Sequence, residues 1–584
     1  MRKVKSVRFV LFAILLFAIV LLGGCAQPTA APAPTSAPVA TAVQPPTSAP
    51  ATSAPTQAPT TAPAATTAPT SAPVATTAPT AAPKPAVKQP SGTLNVALST
   101  FESETFLPWN GGVARQSYLL MIYDVLVYSD PKTDEQKPGL AEKWEMSPDG
   151  KTWTFYIRKG VQFHESYGEL TSEDVKYSFE RMIDKTSVGS PAQLLRNIID
   201  KVEAPDPYKV VVSLKTPYVG LVGGYLNDTN AGGIIVSKKY VTTVGDEKAN
   251  AHPIGTGPYT LAEEHKKGGP IKLTTVPEVE KHWRITPDYQ NVNLLLVPEE
   301  ATRVAMLKTG EVDLAPVSYD SIDSVKSSGL NVISIQKNWA PLIRFGGIVT
   351  TDPKRYDANN PWSKKEVRQA LNYAVDRAAI AKTIFKGEAT PVGASMPLNV
   401  WSDIPPYAYD VAKAKQLLTQ AGYPNGFQVP LRTFTTNPGA ELPTLGEAVA
   451  LYWKAVGIDV KIVPSDWNTV RGDLLGMKAN NYLFVQRGQP FVDFQAGFDL
   501  EYDSANMFAI YATPEVIQQY NQIKSELDPK KREQMAREFG LYVKDEATNV
   551  FLVSANDPYG ASKKIGRWSS IRMRPQNIEY ITRP

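Results

Sequence analysis

Few side chains in this chain are spaced for covalent chemistry. Cysteine occurs once, at Cys25, so an internal disulfide and a paired-thiol mechanism are both excluded. Four histidines, His164, His252, His265 and His282, are too scattered to read as a metal set, and His164 reads as structural. No G-x-S-x-G elbow, H-E-x-x-H helix or P-loop occurs. Gly255-Thr256-Gly257-Pro258 carries two glycines of a phosphate loop but lacks its Lys-Ser/Thr. Pro258 also opposes a helix starting there, so a tight turn is expected. Arg368, Asp376 and Arg377 are spaced as exposed or interface ion pairs. No enzyme activity, cofactor or metal site is expected. What remains is binding, with aromatic rings as contact surfaces and a few charges to fix orientation.

The elements that would carry such residues are legible. Ser147-Pro148-Asp149-Gly150 is a type I turn signal, followed by alternation of Trp153, Phe155 and Ile157 with polar residues. Thr171 is placed to cap a helix whose first turn holds Glu173 and Asp174. Gly92–Leu98, Lys209–Leu214, Asn291–Val297, Ile458–Val463 and Asn549–Ser554 read as strands. Tyr118–Val127 and Glu299–Lys308 read as helices, the latter closed by Gly310. Ser363–Glu366 reads as a capping box opening one long helix that runs to Gly387, and Thr444–Glu447 as a second box. Asp410 is a further cap, and Thr513-Pro514 and Asp528-Pro529 place proline at N1. Strand–helix–strand units of this kind imply helices covering a sheet.

The first hundred residues are of another kind. Arg2, Lys3, Lys5 and Arg8 precede an unbroken apolar run of 14 residues, Phe9–Leu22, too short to span a bilayer and right for a signal peptide. Leu22-Gly23-Gly24-Cys25 resembles a bacterial lipobox, which implies cleavage before Cys25 and its lipidation. Ala26 to about Pro90 is nearly all Ala, Pro, Thr, Ser, Val and Gln and has no means of building a core. It would reach about 200 Å as a polyproline rod and about 50 Å as a coil. No acid occurs before Glu102, and without the six basic residues of that leader the body has 55 basic against 57 acidic side chains, a formal −2. Such a body has no electrostatic footprint for nucleic acid.

Several motifs occur together in order: A-E-K-W (Ala141–Trp144), P-D-G-K (Pro148–Lys151), K-G-V-Q-F-H (Lys159–His164), P-I-G-T-G-P-Y (Pro253–Tyr259), K-T-G-E-V-D (Lys308–Asp313) and V-R-Q-A-L-N-Y-A-V-D-R (Val367–Arg377). This series resembles the family 5 extracellular solute-binding proteins of ABC importers, which include oligopeptide, dipeptide and nickel binders. The resemblance covers about Gly92 to Pro584.

It implies an α/β, periplasmic-binding-protein-like fold, with two α/β lobes on a hinge and a small inserted extra domain. The implied boundaries are signal peptide 1–24, lipidated Cys25 with its linker 25–91, lobe I from 92–131, 251–338 and 551–584, the inserted domain 132–250, and lobe II 339–550. It further implies a monomeric lipoprotein on the extracytoplasmic face, held to the bilayer through Cys25, capturing a small-molecule or oligopeptide ligand and serving membrane permease subunits. An oligosaccharide- or nickel-chelate-binding member, or an adhesin uncoupled from transport, is the alternative. Candidate ligand-binding residues are Trp109, Trp339, Trp401, Trp467, Arg487, Phe491 and Asp493. In peptide-binding members an aspartate at the place of Asp493 pairs with the peptide amino group. The chain departs from the family pattern at Arg344–Gly347 and Arg487–Pro490, both expected near the cleft.

Overall fold

The computed structural model describes residues 89–130, 133, 135–394, 401, 403–436, 439–488, 493–504, 506, 508–568 and 577–584. The expected signal peptide, the Cys25 lipid site, nearly all of the linker and Phe491 lie outside the described residues.

Among the described residues the largest sheet has twelve strands and runs through two α/β lobes. In lobe I, Thr93–Leu98 pairs in parallel with Asn291–Leu296 and Leu314–Pro316, and Ile271–Thr275 and Tyr259–Leu261 extend the edge antiparallel. In lobe II, Gln428–Thr433 lies in parallel between Asp459–Pro464 and Leu483–Gly488. Two strands join the halves. The lower part of Asn331–Phe345 pairs with Val553–Ala561, and its upper part, Ala340–Phe345, pairs with Leu483–Gly488. The register shifts between Ile335 and Trp339, where Lys337 sits at φ 52°, as a bulged strand bending between two sheets would. That bend is the hinge. A separate four-stranded antiparallel sheet (Ala141–Met146, Thr152–Ile157, Lys209–Leu214, Ile199–Asp206) forms the small extra domain on the lobe I side.

Local signals held where their hydrogen bonds are local. Gly150 N–H donates to the Ser147 carbonyl at 2.9 Å and closes the hairpin turn. Thr171 and Asp174 form a reciprocal capping box for Ser172–Ile183. Asp410, Thr513 and Asp528 each cap a helix, and Gly310 closes Glu300–Thr309 in the left-handed conformation.

Four expectations are corrected. Ser363 is not a cap: Pro361 starts a 3-10 turn through Ser363, whose hydroxyl donates to the Ala358 carbonyl, and the helix Lys365–Tyr373 follows Lys364. The long helix breaks after Tyr373, and Asp376 starts a second, Arg377–Thr383, by accepting from the Ala379 N–H. Thr444 lies inside a helix that already begins at Leu442, with Pro443 in its first turn. The helix expected to run to Val127 ends at Ile122, since Tyr123 is extended and Val127 joins a short strand.

Candidate functional site

The histidines and the glycine turn meet, but as architecture. His164 donates from Nε2 to the Gly257 carbonyl at 2.8 Å and accepts on Nδ1 from the Gly255 N–H at 3.4 Å. His282 Nε2 donates to the Thr256 carbonyl between them at 2.8 Å. A Cβ on Gly255 would stand 2.0 Å from the Ile122 carbonyl oxygen, so glycine is needed there for close packing and no phosphate fits. Asp124, fully buried, gathers this assembly by accepting from Tyr128 Oη (2.8 Å), Thr256 Oγ1 (3.1 Å), Trp283 Nε1 (3.0 Å) and Arg284 Nε (2.9 Å). The other histidines pair with single carboxylates, His252 with Glu165 at 2.7 Å and His265 with Glu104 at 3.2 Å.

Burial lowers the His164 pKa to about 4, because the charged imidazolium loses its hydration there. The folded value lies below the unfolded one. Above about pH 6.5 the full stability is therefore present, and it falls as pH drops from about 6.5 toward 4. From this residue alone the loss should reach roughly 2–3 kcal/mol. Urea midpoints at pH 7 and pH 4.5 check it, and His164→Gln should flatten that part of the profile.

The conspicuous arginines are also structural, and buried rather than exposed. Arg377 donates to the carbonyls of Phe551, Asn372 and Val375, and Arg368 to those of Trp362, Ser363 and Glu546. Arg344 does not line a cleft; it is 1% exposed and ion-paired with Glu501.

The site candidates do not all converge. Trp339 and Arg487 do, at the hinge bend, where the guanidinium lies 5.6 Å from the ring centre. Arg487 is 3.9 Å from Asp557 on the second hinge strand, and Asp557 accepts from Asn338 Nδ2 at 2.5 Å. Trp339 Nε1 donates to Tyr319 Oη at 3.3 Å, and Tyr319 donates to the Asn556 carbonyl at 2.6 Å. Burial pushes the Asp557 carboxyl up and the Arg487 guanidinium down. Glu441, at the start of a lobe II helix, is pushed up by burial and by the charges of Asp557, Glu300 and Asp320, the last two from lobe I. Groups from both lobes and the hinge therefore share one electrostatic neighbourhood. Within it Arg487 Nε is buried with no protein partner, whereas Gln486 Oε1, also unpartnered, belongs to the opposite face of the strand. Such atoms carry a desolvation cost that a polar solute would relieve. No nucleophile–base pair is assembled among these groups.

The remaining candidates sit apart. Trp109 is buried against Tyr177 with Arg181 4.2 Å above its ring, and its Nε1 has no partner. Trp467, partly exposed, stacks on Phe508 at 6.0 Å in a satellite cluster of lobe II. Trp401 packs on Phe498 and Phe539 and donates its N–H to the Ala536 carbonyl, so no edge is left for a ligand and we leave it out of the site. Asp493 caps the helix Phe494–Glu501 by accepting from the Gln495 N–H at 2.7 Å, with Arg532 3.6 Å away. Reading the sequence overlooked Asp557, Asn338 and Tyr319. Asp557 lies beyond the strand expected over Asn549–Ser554, in an Asn-Asp-Pro run that reads as a turn. An open depression of about 690 Å³ near the C-terminus, between Asp288, Lys563 and Arg583, contains none of the expected residues.

Comparison with known proteins gives a consistent result. The model for bacterial extracellular solute-binding proteins, family 5 Middle, matches residues 135–508. A dipeptide-binding protein of Escherichia coli (strain K12) is 30% identical over 395 residues, 62% of this chain and 69% of its own. Heme-binding protein A of Haemophilus influenzae is 28% identical over 60% of this chain and 66% of its own. Among solved structures, the ABC transporter-associated periplasmic binding protein DppA from Helicobacter pylori, in complex with the peptide STSA, covers 85% of this chain and 98% of its own, with TM-score 0.67 and 24% identity. That last likeness bears on the fold.

Proposed function

The chain belongs to the family 5 bacterial extracellular solute-binding proteins, and from that premise we propose that it is the lipid-anchored receptor of an ABC importer, closing its lobes on a peptide-like or other small polar solute and delivering it to a membrane permease. The observation that carries this reading is the junction of the two lobes, where Arg487 Nε stands buried without a hydrogen-bond partner beside Trp339. A guanidinium offers donors to a carboxylate, the indole offers a face, and the hinge lets closure remove water from both. The dipeptide-binding relative supports a peptide-like ligand. The lipobox at Leu22–Cys25 and the Ala/Pro/Thr linker support an anchor that leaves the body free on the extracytoplasmic side.

Mass spectrometry of small molecules released from the purified protein tests the ligand class. Recovery of peptides agrees with the proposal, and recovery of a sugar or a metal chelate overturns its peptide part. A thermal-shift series with di- to pentapeptides gives a second measure, since a bound ligand stabilises the fold by RT ln(1 + [L]/Kd).

Asp493→Asn should weaken capture of peptides with a free amino terminus about tenfold, the scale of one charge-assisted hydrogen bond, and leave N-acetylated peptides unaffected. Asparagine caps a helix as well as aspartate does, so folding should be preserved. Calorimetry on both peptide types checks it; equal affinity before and after the change would remove Asp493 from the site.

A further inference from the structure

The two sides of the molecule also meet at a second place. On the lobe I side is the short helix Leu221–Tyr225, which carries Gly223 and Gly224 and follows Gly220. On the lobe II side is the helix Phe494–Glu501. The two backbones approach so closely that a Cβ on Gly220 would be 2.7 Å from Gln495 Cβ, and one on Gly223 would be 2.8 Å from Asp493 Oδ2. The lobe II helix has a divided loyalty: Ala496 packs into the core of lobe I and the extra domain, while Phe494 and Phe498 pack into that of lobe II.

At the centre is Asp499, 4% exposed. Its own lobe supplies two donors to Oδ1, Gln495 Nε2 and Tyr520 Oη, each at 2.7 Å. The opposite side supplies Tyr218 Oη, in close contact with Oδ2, and Tyr225 Oη at 3.4 Å. Tyr218 is tied in turn to the hairpin of the extra domain, since Trp153 Nε1 donates to its carbonyl at 3.2 Å. From the hairpin turn itself, Gly150 stands so close to Leu527 that an added Cβ would be 2.8 Å from that side chain.

We propose that this seam is a closing latch built into the protein, holding the lobes together without any solute through Tyr218 and Tyr225 on Asp499 and through the glycine-faced contact beside them. The geometry makes the latch reversible. When the lobes part, Asp499 keeps Gln495 and Tyr520 and exchanges the two departing hydroxyls for water, so neither state holds an unsatisfied buried carboxylate. Because the apparent affinity of a solute scales with the population competent to hold it, Asp499 and its two tyrosines set affinity without touching the solute. The inference rests on the two-lobed fold and not on the ligand, so its test uses none.

The full chain carrying Cys25→Ser, with spin labels on Lys201→Cys and Lys478→Cys, reports the distance between the extra domain and lobe II. Without solute, short distances should dominate. Tyr218→Phe with Tyr225→Phe should lower the ratio of short to long distances at least fivefold. Gly223→Val, which wedges the seam against Asp493 and removes no polar group, should do the same. Tyr520→Phe, whose hydroxyl comes from Asp499's own lobe, should leave the distribution unchanged. Urea midpoints within error of the parent exclude general unfolding in whichever variant is read. An unchanged distribution in the folded double-tyrosine variant or in folded Gly223→Val overturns the latch, and so does an equal shift with Tyr520→Phe.

Discussion

Arg344→Met is expected to lower stability by about 3–5 kcal/mol, the cost of leaving one member of a buried ion pair without the other. Arg344 and Glu501 are 1% and 5% exposed and in direct contact, and Arg344 also donates from Nη1 to the Phe508 carbonyl at 3.0 Å. Burial already pushes the Glu501 carboxyl up, with Arg344 opposing that push. Once the arginine is gone the carboxyl rises further, so its folded pKa exceeds its unfolded one. Stability is then greatest below the unfolded value and is lost as pH rises through the folded value. The deficit of Arg344→Met should therefore be largest at pH 7 and shrink toward pH 5, opposite in sign to the His164 effect. Arg344→Met with Glu501→Leu should recover most of the loss, because apolar pairs commonly replace buried ion pairs without cost. Urea titrations of the parent and the two variants at both pH values measure this; a loss below about 1 kcal/mol in Arg344→Met would mean that the pair does not hold strand to helix.

Asp124→Ala should be as damaging, about 3–5 kcal/mol, for a related reason. It removes the acceptor of four donors at once and leaves the Arg284 guanidinium, 7% exposed, with Glu579 at 3.6 Å as its nearest carboxylate. The turn at Gly255–Gly257 depends on the same residue through Thr256, so its amides should lose hydrogen-exchange protection along with global stability. Asp124→Asn keeps an acceptor but loses the charge, and about half of the effect is expected. A loss of exchange protection confined to the turn, with an unchanged urea midpoint, would show that Asp124 anchors only the loop.

The hinge pocket and the latch differ in how visible they are from the sequence. Arg487 and Trp339 could be named as candidates because each is an unusual side chain in a plausible loop or strand. Their meeting could not be foreseen, since 148 positions separate them along the chain. The latch is less visible still. Nothing in the spacing of the glycines at 220, 223 and 224 marks them, and only the helix packed against them shows that their missing side chains make room. Trp401 illustrates the reverse: a tryptophan that reads as a binding candidate proves to be closed in by Phe498, Phe539 and a backbone carbonyl.

By itself, the sequence determined the family, the alternation of strands and helices, and those turns and caps whose bonds close within about four residues. Thr171 with Asp174, Gly150 with Ser147, and Asp410 with Lys413 need no distant partner, so side-chain chemistry and backbone sterics suffice. Only the tertiary structure decided which charged groups are architecture and which stand unpaired. Arg377 and Asp124 find partners more than 100 residues away that satisfy them, whereas Arg487 Nε at the hinge finds none. Whether a buried polar atom is satisfied depends on every group that folding brings within about 3 Å of it, and sequence spacing carries no record of that distance.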